Sequence, residues 1–218
     1  MIKHSVVFLR LLLSVMFLSA LSSPVLAQDS DADTVFEELQ AVYADAEALS
    51  ASFHQHVVNP FGDEFQNEGT LYVSGDKYRV ELEDQTIVAD GETTWIHNHA
   101  DRQVLVNEYQ RDADTFAPTT FLLQLDDSYR PVETGSESVD GVALRYLKLE
   151  SEDPGAMFVS FVMRFQEDDL RLRRVEIEDA NETRMTFTLR DLDLDTELGD
   201  DLFAFDPPEN VEVVDLRP

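Results

Sequence analysis

From Ala51 to Asp191 the chain repeats one pattern: short runs rich in Val, Phe, Tyr, Thr and Leu alternate with a period of two, and turn residues separate them. Period two is the strand period, because successive side chains of a strand point to opposite faces. The spacing predicts strands over 52–58, 64–73, 77–82, 86–90, 93–98 and 103–109, with breaks at Pro60-Phe61-Gly62, Ser74-Gly75-Asp76, Glu83-Asp84-Gln85, Asp90-Gly91 and Asn98 to Arg102. A second set is predicted over 142–150, 157–166, 171–178 and 183–191, broken at Asp153-Pro154-Gly155, Glu167-Asp168-Asp169 and Asp179-Ala180-Asn181. Many short antiparallel strands with little helix predict a mainly β (α+β) fold built on one sheet. A sheet this wide does not lie flat, so it must curl, and a curled sheet has an inside.

Two segments depart from period two. Val35, Phe36, Leu39, Val42, Tyr43, Ala46 and Leu49 recur at three-four spacing after an acidic lead-in from Asp29 to Asp33. Thr34 and Glu37 have the spacing of a capping box, so an amphipathic helix of about four turns is expected to start there. Pro118-Thr119-Thr120-Phe121-Leu122-Leu123-Gln124-Leu125 places a proline at the head of an apolar stretch, the pattern of a short helix. These segments are candidates to cover the inside of the sheet.

The chain opens with Lys3 and Arg10, runs apolar from Leu11 to Leu21, and reaches Val25-Leu26-Ala27. That is the build of a secretory signal peptide over 1–27, leaving a single domain over 28–218. The apolar run is shorter than the ~20 residues of a spanning helix, so an exported, soluble chain is expected. With no cysteine in the sequence there is no disulfide, no acylated N-terminal Cys and no thiolate metal site.

Lysine and arginine total 16 against 45 acidic residues, for a formal charge of −29. Such a chain repels nucleic acid and anionic lipid. Disorder also accompanies high charge, but the 43% hydrophobic content and the regular periodicity oppose it. A lysine-poor acidic surface on a folded core is what halophilic proteins carry, since salt screens the self-repulsion.

Two histidine pairs, His54/His56 and His97/His99, invite a zinc reading. Spacing supplies no further ligand or orienting carboxylate, and solvated strand positions at a sheet rim, with His99 in a turn beside Asp101, are the better explanation. Asp191-Leu192-Asp193-Leu194-Asp195 starts like a calcium loop, but the sixth position is Thr196 and the twelfth Leu202, where Gly and Glu are required. There is no Gly-x-Ser-x-Gly elbow and no glycine-rich phosphate loop. No metal or cofactor is therefore expected, and no enzyme.

The segment IVADGETTWIHNHADRQVLVNEY, Ile87 to Tyr109, resembles the outer-membrane lipoprotein carrier family, the LolA-like proteins. Asp90-Gly91 matches that family's hairpin and Trp95 its tryptophan, while His97 stands where a tyrosine is usual. LSASFHQHV, EGTLYVSGDKYRVEL, APTTFLLQL and LFAFDPPENVEVVD resemble, in order, its first-helix end, Gly-x-Leu hairpin, proline-led central helix and C-terminal Phe-x-Phe-x-Pro-Pro signature. One departure stands out. Where the family has an Arg-Pro pair tied to opening of a helical lid, this chain reads Ser74-Gly75-Asp76, and Arg79 falls inside the next strand.

The resemblance implies an unclosed half-barrel under a helical lid, in a monomeric periplasmic carrier that shuttles lipoproteins from the inner to the outer membrane. It implies three partners: acylated lipoproteins, an inner-membrane ABC-type release complex, and an outer-membrane acceptor. A sensor or scaffold using the same fold to bind a protein or another amphiphile is the alternative. The chain's 14 phenylalanines, among them Phe158, Phe161, Phe165, Phe203 and Phe205, serve a core or a cavity. For an acyl-chain cavity, shared strand faces and the central helix nominate Tyr78, Val80, Leu82, Trp95, Phe121, Leu122 and Leu125.

Overall fold

In the computed structural model, residues 27–44, 46–109, 128–139 and 141–218 are described. Their architecture is one unclosed, curled sheet with a single α-helix against its concave face. The strands are β1 (Ala48–Val58), β2 (Glu64–Ser74), β3 (Lys77–Leu82), β4 (Gln85–Ala89), β5 (Thr93–Asn98), β6 (Gln103–Glu108), β7 (Tyr129–Val139), β8 (Val142–Ser151), β9 (Phe158–Gln166), β10 (Leu172–Asp179), β11 (Arg184–Asp193) and β12 (Glu212–Asp215). Their spatial order is β12-β6-β5-β4-β3-β2-β1-β11-β10-β9-β8-β7. Neighbours are antiparallel except β12, which lies parallel to β6. β6 and β7 thus stand near opposite edges of the sheet although they follow one another in the chain.

All ten expected strands are present, with ends shifted by a few residues. Two more were not anticipated. β7 carries Pro131 and Gly135 and little apolar content, which suits an edge strand; a register irregularity falls just after its proline. β12 is four residues long and is held by its neighbour rather than by its own pattern.

The helix α1 spans Ala27–Ala44 and so begins a full turn and more before Thr34. Thr34 and Glu37 lie inside it, and their capping-box spacing does not mark its start. The acidic lead-in is helical instead, and acidic side chains near a helix N-terminus are favourable to its dipole. Ala46 and Leu49 also lie beyond it: the helix stops at Ala44, and Leu49 is a buried residue of β1. Ala32, Val35, Phe36, Leu39 and Tyr43 form the buried stripe at three-four spacing.

That stripe packs with the concave faces of β1, β2, β3 and β8 to β11 in one core. Tyr43 fastens the helix end to the β9–β10 hairpin: its hydroxyl accepts from Leu172 N–H at 2.9 Å and donates to Leu170 C=O at 3.4 Å. Arg145, opposite Phe165 on the same face, reaches Glu38 of the helix at 3.3 Å. Gly69 sits opposite Phe53; a Cβ there would strike the Glu81 carbonyl and Leu82 and crowd the Phe53 ring, so the position requires glycine.

Candidate functional site

Directly opposed residues of neighbouring strands share a face, so register identifies the faces without ambiguity. Leu71 pairs with Val80, Val80 with Ile87, Ile87 with Ile96, and Ile96 with Leu105. This row runs across the concave face from β2 to β6. Its neighbours are Val73, Tyr78, Ala89 and Thr94 on one side, and Gly69 with Leu82 on the other. Burial is uneven along it: Leu71 and Val80 are buried, but Ile87, Ile96 and Leu105 are only half-buried, as is Leu82. Tyr78 is buried and lies near Tyr109, ring centroids 6.4 Å apart. Burial raises the Tyr78 phenol above its ordinary range, with its hydrogen bond to Thr94 acting the other way.

The other parity faces outward. Val88 pairs with Trp95, and Trp95 with Val106, so these side chains stand on the convex side. Val88, Val104 and Val106 are buried there. Their cover is the C-terminal segment. A 3₁₀ turn, Asp200–Phe203, lies against β3; Phe203 is buried, and Phe205 packs on Trp95 at 6.2 Å and His97 at 6.0 Å. Charge holds this acidic strap to the strands beneath. Lys77 meets Asp200 at 2.6 Å, Arg79 donates to the Leu202 carbonyl at 3.3 Å, and Arg102 to that of Asn210 at 2.9 Å. Arg79, with Glu81 also at 2.8 Å, therefore serves the strap side of the sheet.

Of the nominated residues, Tyr78, Val80 and Leu82 share the concave face. Trp95 does not join them; two hairpin registers carry it to the convex side. Phe121, Leu122 and Leu125, with the rest of the proline-led central segment, lie outside the described residues. Ile87, Ile96 and Leu105 were missed. The signal for them was present: the tight Asp90–Thr93 turn, in which the Asp90 carboxylate accepts from Glu92 and Thr93 N–H, puts Ile96 opposite Ile87 and Trp95 opposite Val88.

The histidine pairs occupy separate places. His54 and His56 project from the convex face of β1, where His56 lies 3.3 Å from Glu64. His97 is on β5, four strands away, roughly 19 Å at the usual strand spacing. His99 closes a turn, with Nδ1 at 3.1 Å from the Glu83 carbonyl and Nε2 at 3.0 Å from the Thr86 hydroxyl. Among the described residues no three metal-binding side chains converge, and Asp191, Asp193 and Asp195 are part of no such group. Among the described residues, too, no helix is long and apolar enough to cross a membrane.

Comparison with known proteins matches this architecture. Residues 44–206 fit the model of the family described as outer membrane lipoprotein carrier protein LolA. The outer-membrane lipoprotein carrier protein of Chromohalobacter salexigens is 26% identical over 185 residues, 82% of this chain and 85% of that one. That of Hahella chejuensis is 27% identical over 217 residues, 95% and 98% of the two chains. An uncharacterized conserved protein from Thermus thermophilus superposes with a TM-score of 0.54 at 12% identity, over 85% of this chain and 99% of that one, which is a likeness of fold. With a family match over well more than half its length, on a curled open sheet whose Gly-x-Leu hairpin and Phe-x-Phe strap occupy defined structural places, the chain belongs to the LolA outer membrane lipoprotein carrier family.

Proposed function

We propose that this protein is a soluble periplasmic carrier that holds the acyl chains of lipoproteins against its concave face and moves them from the inner to the outer membrane. It is exported by a signal peptide over 1–27, works as a monomer, and has no catalytic role. The observation that carries the reading is the row Ile87, Ile96 and Leu105, aliphatic side chains left half-buried on a concave face beside a packed core. Such a surface is costly to leave wet and suits an apolar ligand. The need for a carrier is physical: each CH₂ drawn out of a membrane costs about 0.8 kcal/mol in water. A carrier must also release, so a partly filled face serves better than a tightly packed one.

The acyl-binding set on this reading is Tyr78, Val80 and Leu82, joined by Ile87, Ile96 and Leu105 from the same face and by Phe121, Leu122 and Leu125. Trp95, facing the strap, stands outside it. Family membership supports an ABC-type release complex as donor and an outer-membrane acceptor, and the strap position of Arg79 leaves the lid without the family's arginine. Native mass spectrometry of the protein taken from its own periplasm tests the proposal. Co-purified triacylated lipoprotein is expected; a free lipid alone, or no ligand, would overturn it. A fluorescent apolar probe should bind the wild type, and bind Ile96→Glu and Leu122→Glu at least tenfold more weakly, while Trp95→Phe binds as wild type.

A further inference from the structure

The β1–β2 hairpin carries an apolar row out of the core. On the concave face Leu149 stands opposite Phe161, Phe161 opposite Ile177, Ile177 opposite Met185, Met185 opposite Val57, and Val57 opposite Phe65. Leu149, Phe161 and Ile177 are buried, Met185 and Val57 half-buried, and Phe65 is 58% exposed. The adjacent row behaves differently. It begins with Leu147, Met163, Val175 and Phe187, then turns polar at Gln55 and Asn67, whose side-chain amides hydrogen-bond at 3.3 Å. Only one of the two rows stays apolar to the hairpin's end.

Beyond that end comes the turn with Phe61, 90% exposed. The turn is tied down. Asn59 Oδ1 accepts from Phe61 N–H at 3.0 Å and Asp63 N–H at 2.9 Å, Asn59 and Asp63 also bond through their backbones, and Gly62 takes the positive φ of 89° that the turn needs. Phe61 is thus held outward by an ordered turn and touches no core.

We propose that this hairpin tip docks on a zwitterionic lipid surface through Phe61, and that Phe65 and Val57 form an apolar ramp from that surface to the concave face. The docking stands apart from the acyl-carrier reading; the ramp rests on it. A narrow two-stranded tip with one protruding aromatic is a wedge, and a bilayer interface yields to a wedge. Continuity of the row lets an acyl chain move between bilayer and sheet without crossing water. Asp63, Glu64 and Glu68 flank the tip, so anionic headgroups repel it and the contact is weak and reversible.

Two measurements test this. In the double variant Trp95→Phe/Phe61→Trp the only tryptophan reports on the tip. With phosphatidylcholine vesicles in molar KCl its emission should shift to the blue and be quenched by lipids spin-labelled near the headgroup. In flotation with the same vesicles, Phe61→Asp should leave at least fivefold less protein bound than wild type at an unchanged melting temperature. Emission that stays at its water-exposed position with excess vesicles, or equal flotation of wild type and Phe61→Asp, overturns the proposal and leaves the tip to a protein partner. Probe binding at the concave face, measured on the same proteins, separates the two readings: vesicle docking without probe binding removes the acyl-carrier reading and the ramp with it but keeps the docking, and probe binding without docking removes this proposal alone.

Discussion

Beneath α1, across β8 to β10, the concave face is packed shut: Leu147, Met163, Phe165, Val175 and Ile177 have essentially no solvent exposure. Across β4 to β6 the same face shows Ile87, Ile96 and Leu105 half-buried, and the dense packing has moved to the convex side, where Val88, Val104 and Val106 lie under the C-terminal strap. At β4 and β5 the sheet is thus buried in part on both faces, since Ala89 and Thr94 remain buried on the concave side. The strands in both regions alternate in the same way; what differs is the element that covers them. Among the described residues, helix and sheet close on each other at one half, and the strap lies against the convex side of the other.

The largest test of this contrast is truncation on the concave face. Phe165→Ala should cost about 3–5 kcal/mol, since a fully buried ring leaves a cavity that its neighbours cannot fill. Ile96→Ala should cost less, about 1–2 kcal/mol, because the side chain is only partly buried and a smaller cavity forms. Urea unfolding of the two variants measures both; equal losses would erase the distinction between a packed half and an open one.

Next comes Tyr43→Phe, which leaves Leu172 N–H buried without its acceptor and should cost about 1–3 kcal/mol. Burial pushes the Tyr43 phenol far above its ordinary range. The folded chain holds the neutral form, whereas unfolded tyrosine ionises near pH 10. This stabilisation is complete below about pH 10 and is lost as pH rises above it. Thermal unfolding between pH 9 and 11 should fall more steeply for wild type than for Tyr43→Phe.

A smaller effect is expected behind the open half. Phe205→Ala uncovers Trp95 and should lower stability by about 1–2 kcal/mol. Tryptophan emission should move to the red while probe binding at the concave face is retained. Loss of probe binding with an intact fold would mean that the two faces of this half are coupled.

With 45 acidic residues confined in one fold, screening should raise the melting temperature by a few degrees between dilute buffer and molar KCl, as the Debye length falls from ~10 Å at 0.1 M to ~3 Å. A flat or falling response would refute the halophilic reading of the surface. The ion pair that ties the strap to β3, Lys77–Asp200, is exposed and should contribute little to the change.

His97 gives the smallest effect. Burial against the strap, with His99 alongside, lowers its pKa. The unfolded chain then binds that proton more readily than the folded one, so stability falls as pH drops through about 6.5. His97→Phe should lessen the loss between pH 7 and 5 measured by thermal unfolding.

The amino-acid order alone determined ten of the twelve described strands, because alternation and turn chemistry are local. Asp90-Gly91 and Ser74-Gly75-Asp76 mark hairpins whatever lies above or below them, and the ordered motifs carried the family. It also determined that α1 would be amphipathic, since Val35, Phe36, Leu39 and Tyr43 sit at helical spacing. β7 was hidden because an edge strand needs neither alternation nor apolar content, and β12 because four residues carry too little pattern. The start of α1 was misplaced because an acidic first turn reads as a lead-in as easily as helix. Turn chemistry tied the parities of neighbouring hairpin strands to one another, and tertiary structure decided which linked set faces inward. Tyr78 and Trp95 both looked like residues of one lining, yet each added hairpin converts a one-residue register difference into a change of face. The cover on each face comes from distant segments, α1 from one end of the chain and Phe203 and Phe205 from the other. Burial depends on those long-range contacts, which no local period encodes.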